Sequence, residues 1–142
     1  MKLKEIIPIQ GPGQREKLPV CYIYPQRGVF RFNSAAAKLL GIPAGKTTKV
    51  SFHQDEENQG NWYIEVNKDG PIAVKTWFAK EDDKDLRCQF CSRDLMERIL
   101  ESVDIAAPAK GSLPIPIAGQ PTMYNKRKLY GLLVVAAKRH AK

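Results

Sequence analysis

The 142-residue chain holds 23 Lys and Arg against 15 Asp and Glu, a net charge of +8 and an isoelectric point near 9.5. That length fills one good core and is too short for two ordinary domains, and the charge favours polyanionic partners. Three cysteines (Cys21, Cys88 and Cys91), an odd number in a chain that needs no covalent staple, argue against a disulfide framework and fit a reducing cytoplasm.

Residues 1–17, with Gly11-Pro12-Gly13 among polar and charged neighbours, read as a flexible arm. A single domain is expected to follow over residues 18–142. Its first strand is β-branched and aromatic (Val20–Tyr24), residues 25–28 form a turn, and Val29–Phe32 alternates again, which makes a hairpin. Ser34 is the expected N-cap of a short helix over residues 35–40, and Gly41 stands where a left-handed C-terminal cap is wanted. A second hairpin pairs residues 48–53 with residues 62–66. After Asp69-Gly70-Pro71 the order restarts, with strands over 72–78 and 86–90 joined through an acidic turn at 80–85. Ser92 caps a second helix, on which Leu95, Met96, Ile99, Leu100 and Val103 lie at helical spacing. Two last strands are expected near 113–117 and 129–135, the former an edge because Pro114 and Pro116 cannot donate to a ladder.

Phe32 and Ser34 match Phe90 and Ser92 at an offset of 58 residues, so the fold class is read as α+β, mostly antiparallel sheet. Two degenerate ββαββ repeats (residues 18–69 and 70–137) with two short helices form curved sheets, and a basic C-terminal tail follows. No stretch is long enough for a signal peptide or a membrane span, since the apolar run at 129–137 falls well short. The protein is therefore expected in the cytoplasm.

The charge is unevenly placed. Residues 105–142 contain seven basic side chains and no acidic one, while the first 104 residues hold 16 basic and 15 acidic groups. Strand alternation sharpens the picture. If Val50, Phe52, Trp62, Ile64, Val66, Ile72, Val74, Phe78, Leu86, Cys88 and Phe90 point inward, the other face carries Lys49, Ser51, His53, Tyr63, Lys75, Trp77, Arg87 and Gln89. Cations and rings interleave there, as a single-strand platform requires: bases stack on rings while Lys and Arg follow the phosphates. The alternative is an ordinary solvated sheet face whose Tyr63 and Trp77 pack across strands or against a second subunit. Lys126-Arg127-Lys128, inside the acid-free segment, reads as a phosphate clamp or as a solvated hairpin turn. The candidate nucleic-acid-binding residues are thus Lys49, Tyr63, Lys75, Trp77, Arg87, Lys126, Arg127 and Lys128.

Cys88 and Cys91 invite a zinc or redox assignment, with Cys21 and His53 as further ligands. Residues three apart on a strand face opposite sides, however, and Cys88 sits back from the helix start that a redox pair needs. No metal or cofactor is expected. His53 and His140 accompany no nucleophile motif, and there is no Gly-rich phosphate loop, so no enzyme is expected either.

Four strands followed by a helix, over residues 48–103, resemble the unit of the Whirly and PUR-type single-stranded nucleic-acid binders, which implies a curved sheet with one nucleic-acid face. Earlier in the chain, Asn33-Ser34-Ala35-Ala36-Ala37-Lys38-Leu39-Leu40-Gly41-Ile42-Pro43-Ala44-Gly45, followed by Val50-Ser51-Phe52, resembles the AbrB-type looped-hinge pattern, which implies a dimeric binder of double-stranded DNA. This chain departs from that pattern in the Lys46-Thr47-Thr48-Lys49 link and in lacking the Ile-Pro-Lys start. The expected function is non-enzymatic nucleic-acid binding, first of single-stranded DNA, with RNA or duplex DNA as other targets. The alternatives are an AbrB-like transcriptional regulator on duplex DNA and a protein-interaction or assembly module. A homodimer or higher even oligomer is expected because strand edges need covering.

Overall fold

The computed structural model describes residues 2–3, 18–78, 86–107 and 110–134, apart from the side chains of Trp77, Phe78 and Leu86. Most of the expected arm, the acidic turn at 80–85 and the last residues of the basic tail lie outside the described residues. The elements in chain order are β1 (Val20–Tyr24), β2 (Val29–Phe32), α1 (Ser34–Leu40), β3 (Thr48–Gln54), β4 (Trp62–Val66) and β5 (Ile72–Phe78), then β6 (Leu86–Cys91), α2 (Arg93–Ser102), β7 (Leu113–Pro116), β8 (Thr122–Tyr124) and β9 (Arg127–Leu132).

The strands form one antiparallel sheet in the order β7-β1-β2-β6-β5-β3-β4-β9-β8. The proline-bearing β7 is an end strand, as two missing donors require. Its last residues nonetheless return to β9. Ile117 bridges Leu132, Ala118 N–H donates to the Gly131 carbonyl at 2.8 Å, and Leu133 N–H donates to the Pro116 carbonyl at 2.8 Å. These links draw the curl almost shut around the core, and they cover part of the edge on which the expected dimer rested. Among the described residues, no helix is long and apolar enough to cross a membrane.

The period-two pattern decides which side of each strand meets the core. Cys21, Ile23, Phe30, Phe32, Val50, Trp62, Ile64, Val74, Cys88 and Phe90 are buried inside, and Phe52 and Ile72 pack against them partly buried. Val66, expected inside, is 41% exposed at the end of β4. Phe30 stacks on Phe90 with ring centroids 4.7 Å apart, and Phe52 meets both rings edge-on, the offset and T-shaped arrangements that ring quadrupoles favour.

In α1 the cap is Asn33 rather than Ser34. Its Oδ1 accepts from Ala36 N–H at 2.9 Å and from Val20 N–H at 3.1 Å, so one side chain ends the turn and ties it to β1. Both residue types cap well, and only the backbone of Asn33, extended at φ −75° and ψ 173°, decides between them. Gly41 takes the left-handed cap at φ 72°. Ser92 caps α2 as expected, accepting from Leu95 N–H at 3.2 Å. That helix buries Met96, Ile99 and Leu100. Trp62 donates from Nε1 to Ser102 Oγ at 2.8 Å, which satisfies the one polar atom of a buried ring at the end of α2.

The strand β8 was not expected. All three of its residues are exposed, so no apolar alternation marks them.

Candidate nucleic-acid interface

Because β2 and β6 are neighbours, the hairpins β1–β2 and β5–β6 lie side by side and share an outer face. Across it the register aligns Tyr22 with Arg31, Arg31 with Gln89, and Gln89 with Lys75. The row crosses four strands. Arg31 donates from Nε and Nη2 to Gln89 Oε1 at 3.0 and 2.9 Å. Its guanidinium lies 5.2 Å from the Tyr24 ring centroid, and that of Arg27 lies 5.9 Å from the same ring. The guanidinium of Arg31 is therefore oriented on both sides before any ligand arrives. The strand residues of this face include Tyr22, Tyr24, Arg31, Ala73, Lys75, Arg87, Gln89 and Cys91, and none of the described ones is acidic.

Four expected residues gather on or beside this face. Lys75 is exposed in the row, Lys49 is exposed on β3 opposite Ala73, and Arg87 is half-buried at the position paired with Trp77, whose side chain lies outside the described residues. The other four do not join them. Tyr63, Lys126, Arg127 and Lys128 belong to β4 and the β8–β9 hairpin, and β4 and β9 stand three to five places along the strand order from β2 and β6.

On that second side the chemistry changes. Glu65, on β4, is 6% exposed and lies beneath Arg127. Arg127 donates from Nε to Glu65 Oε2 at 2.6 Å and from Nη2 to Oε1, while His53 Nε2 approaches Oε1 at 3.0 Å. The hydrogen bond from Arg127 is the largest influence in holding the Glu65 carboxyl down to about 2. Burial opposes it, and His53 assists. The same pairing raises the Arg127 guanidinium further above its usual value. Arg127 is thus engaged with Glu65, whereas Lys126 and Lys128 are exposed. Beside this pair opens a cleft of about 510 Å³ whose lining includes His53, Tyr63, Tyr124 and Arg127 together with the acidic Asp55, Glu56 and Glu57. The acidic turn at 55–57 faces this cleft and not the row. Its carboxylates make the cleft a poor seat for phosphate.

The chain matches no protein-family model, no curated protein and no solved structure. The reading of the site rests on its geometry. Cys88 is buried in the core while Cys91 is exposed on the outer face, so the two thiols point apart, as their spacing on a strand requires. Among the described residues, no three of His, Cys, Asp and Glu are grouped so as to hold a metal ion.

Sequence reasoning missed Tyr22, Tyr24, Arg31 and Glu65. The alternation of Tyr22, Tyr24 and Arg31 was visible in the first hairpin. What was invisible is that this hairpin sits against β6, a pairing between residues 58 apart. Glu65 carries no signal in sequence, since an acidic residue at an outward strand position is ordinary.

Proposed function

We propose that this protein binds nucleic acid without catalysing a reaction, and that it does so through the outer face of β1, β2, β6 and β5. One observation carries the reading: the transverse row Tyr22, Arg31, Gln89 and Lys75, flanked by Arg27, Arg87 and Lys49, with no acidic strand residue described among them. A cationic strip with rings and an amide offers phosphate contacts and polar contacts on one surface.

Two observations support duplex DNA ahead of the single strand. The Tyr24 ring already has guanidinium groups over it, which leaves less ring face for a base to stack on. The two hairpins also meet at Arg31 and Gln89, directly paired and 58 residues apart, the offset at which the two halves of the chain align. If the two halves are the degenerate repeat that this offset suggests, the face would carry an approximate two-fold axis, which would suit the two-fold symmetry of a duplex site. The AbrB-type resemblance of the first half points the same way. Single-stranded DNA is the second reading, supported by Tyr22 in the row and by the place of Trp77 opposite Arg87.

The test is a titration of labelled duplex DNA, single-stranded DNA and RNA at several salt concentrations. Binding is expected to weaken with a log–log slope of roughly 0.9 per phosphate neutralised on a duplex, or roughly 0.7 on a single strand. The double variant Arg31→Ala, Lys75→Ala should lower that slope by about two contacts. An unchanged slope in a folded double variant would remove the row from the interface. A salt-independent wild type would favour the interaction-module reading.

A further inference from the structure

We infer that the β8–β9 hairpin is a second phosphate contact, separate from the row, in which Lys126 and Lys128 meet the nucleic-acid backbone from a ribbon that Arg127 holds against the sheet. The inference rests on the nucleic-acid reading above and adds a site to it.

The turn supplies the first argument. Tyr124 pairs with Arg127 across a two-residue loop whose members, Asn125 and Lys126, lie at φ 49° and 65°. Both central residues are left-handed, as in the hairpin turns whose twist matches that of the strands, and the second position there belongs by preference to glycine. A lysine in that conformation carries the steric strain of its β-carbon. What it adds that glycine lacks is a charge at the tip of the hairpin. The second argument is anchorage. Arg127 bonds Glu65 on β4 through both its Nε and Nη2 atoms, and Glu65 also meets His53 on β3, so the hairpin is tied beside its turn to two strands. The third is exposure. All three β8 residues face solvent, Met123 and Tyr124 at 60% and 62%, and neither Lys126 nor Lys128 has an acidic partner among the described residues. Register places Tyr124 and Arg127 on the side of the acidic cleft and Met123 with Lys128 on the other. The phosphate-facing side is therefore that of Lys128, with Lys126 at the tip. A two-stranded ribbon of this kind fits the major groove of a duplex.

Lys126→Gly separates turn geometry from charge. The variant is expected to unfold at a higher temperature than wild type, because the strain is relieved. It should also bind duplex DNA more weakly at low salt, with the slope reduced by roughly 0.9, one phosphate contact. Adding Lys128→Ala should double that reduction, and the loss should be additive with that of the row variant. A more stable Lys126→Gly protein that keeps the wild-type slope would overturn the hairpin contact while leaving the row reading intact. A wild type that binds none of the three nucleic acids would overturn both.

Discussion

Replacing Glu65 by Gln removes one negative charge and keeps the shape of the side chain, which makes it a direct probe of the pair that fastens the β8–β9 hairpin. The carboxyl is held at about 2 against an ordinary value of 4.5, a difference of about 2.5 units, and at ~1.4 kcal/mol per unit this corresponds to about 3 kcal/mol. The side chain is only 8% exposed, but Arg127 is 46% exposed beside an open cleft and can recover hydration. The expected loss at neutral pH is therefore about 2 kcal/mol. The sign follows from the direction of the shift: a carboxyl whose folded value is depressed stabilises the fold fully above its unfolded value. That stabilisation is lost as pH falls from about 4.5 toward about 2. Urea unfolding followed by tryptophan fluorescence, on wild type and Glu65→Gln from pH 7 to pH 2, measures the gap between them. The gap should be widest at neutral pH and close across the acid window. A gap that is absent at pH 7, or that persists undiminished at pH 2, would refute the ion-pair account.

Trp62→Ala should cost about 3–5 kcal/mol in the same assay, since it empties a core site and removes the hydrogen bond that the indole gives to the Ser102 hydroxyl. Gly70→Ala should cost at least about 1–3 kcal/mol, because a β-carbon there would lie 2.5 Å from the Val50 carbonyl oxygen, which belongs to the sheet backbone. A near-neutral result by calorimetry would mean that the turn can shift. In the native protein at pH 8, a thiol-reactive chromophore should label Cys91 quickly. Cys21 and Cys88 should react only on unfolding, as burial pushes Cys88 up to about 12 and Cys21 also upward. Rapid labelling of all three would contradict the buried placement.

The local chemistry of this chain was legible without the structure. Period-two alternation picked out β1 to β6, and it placed Val50, Trp62, Ile64, Val74, Cys88 and Phe90 inside, because only one face of each strand can leave water. Capping residues marked the start of both helices and Gly41 the end of α1, with Asn33 taking the cap assigned to Ser34 through a backbone conformation that the residue types do not specify. Alternation failed where burial failed: β8 is exposed on both faces and leaves no pattern, and Val66 runs past the end of the covered surface. What only the tertiary structure decided is which faces become one face. Composition identified cations and rings, yet whether Lys75 stands beside Arg31 or Arg127 depends on pairings between strands distant in sequence. Those pairings follow from how the whole sheet curls to bury its core. The same folding put Glu65 beneath Arg127, turned a basic triplet into one anchored and two exposed charges, and so separated residues that are adjacent in the chain.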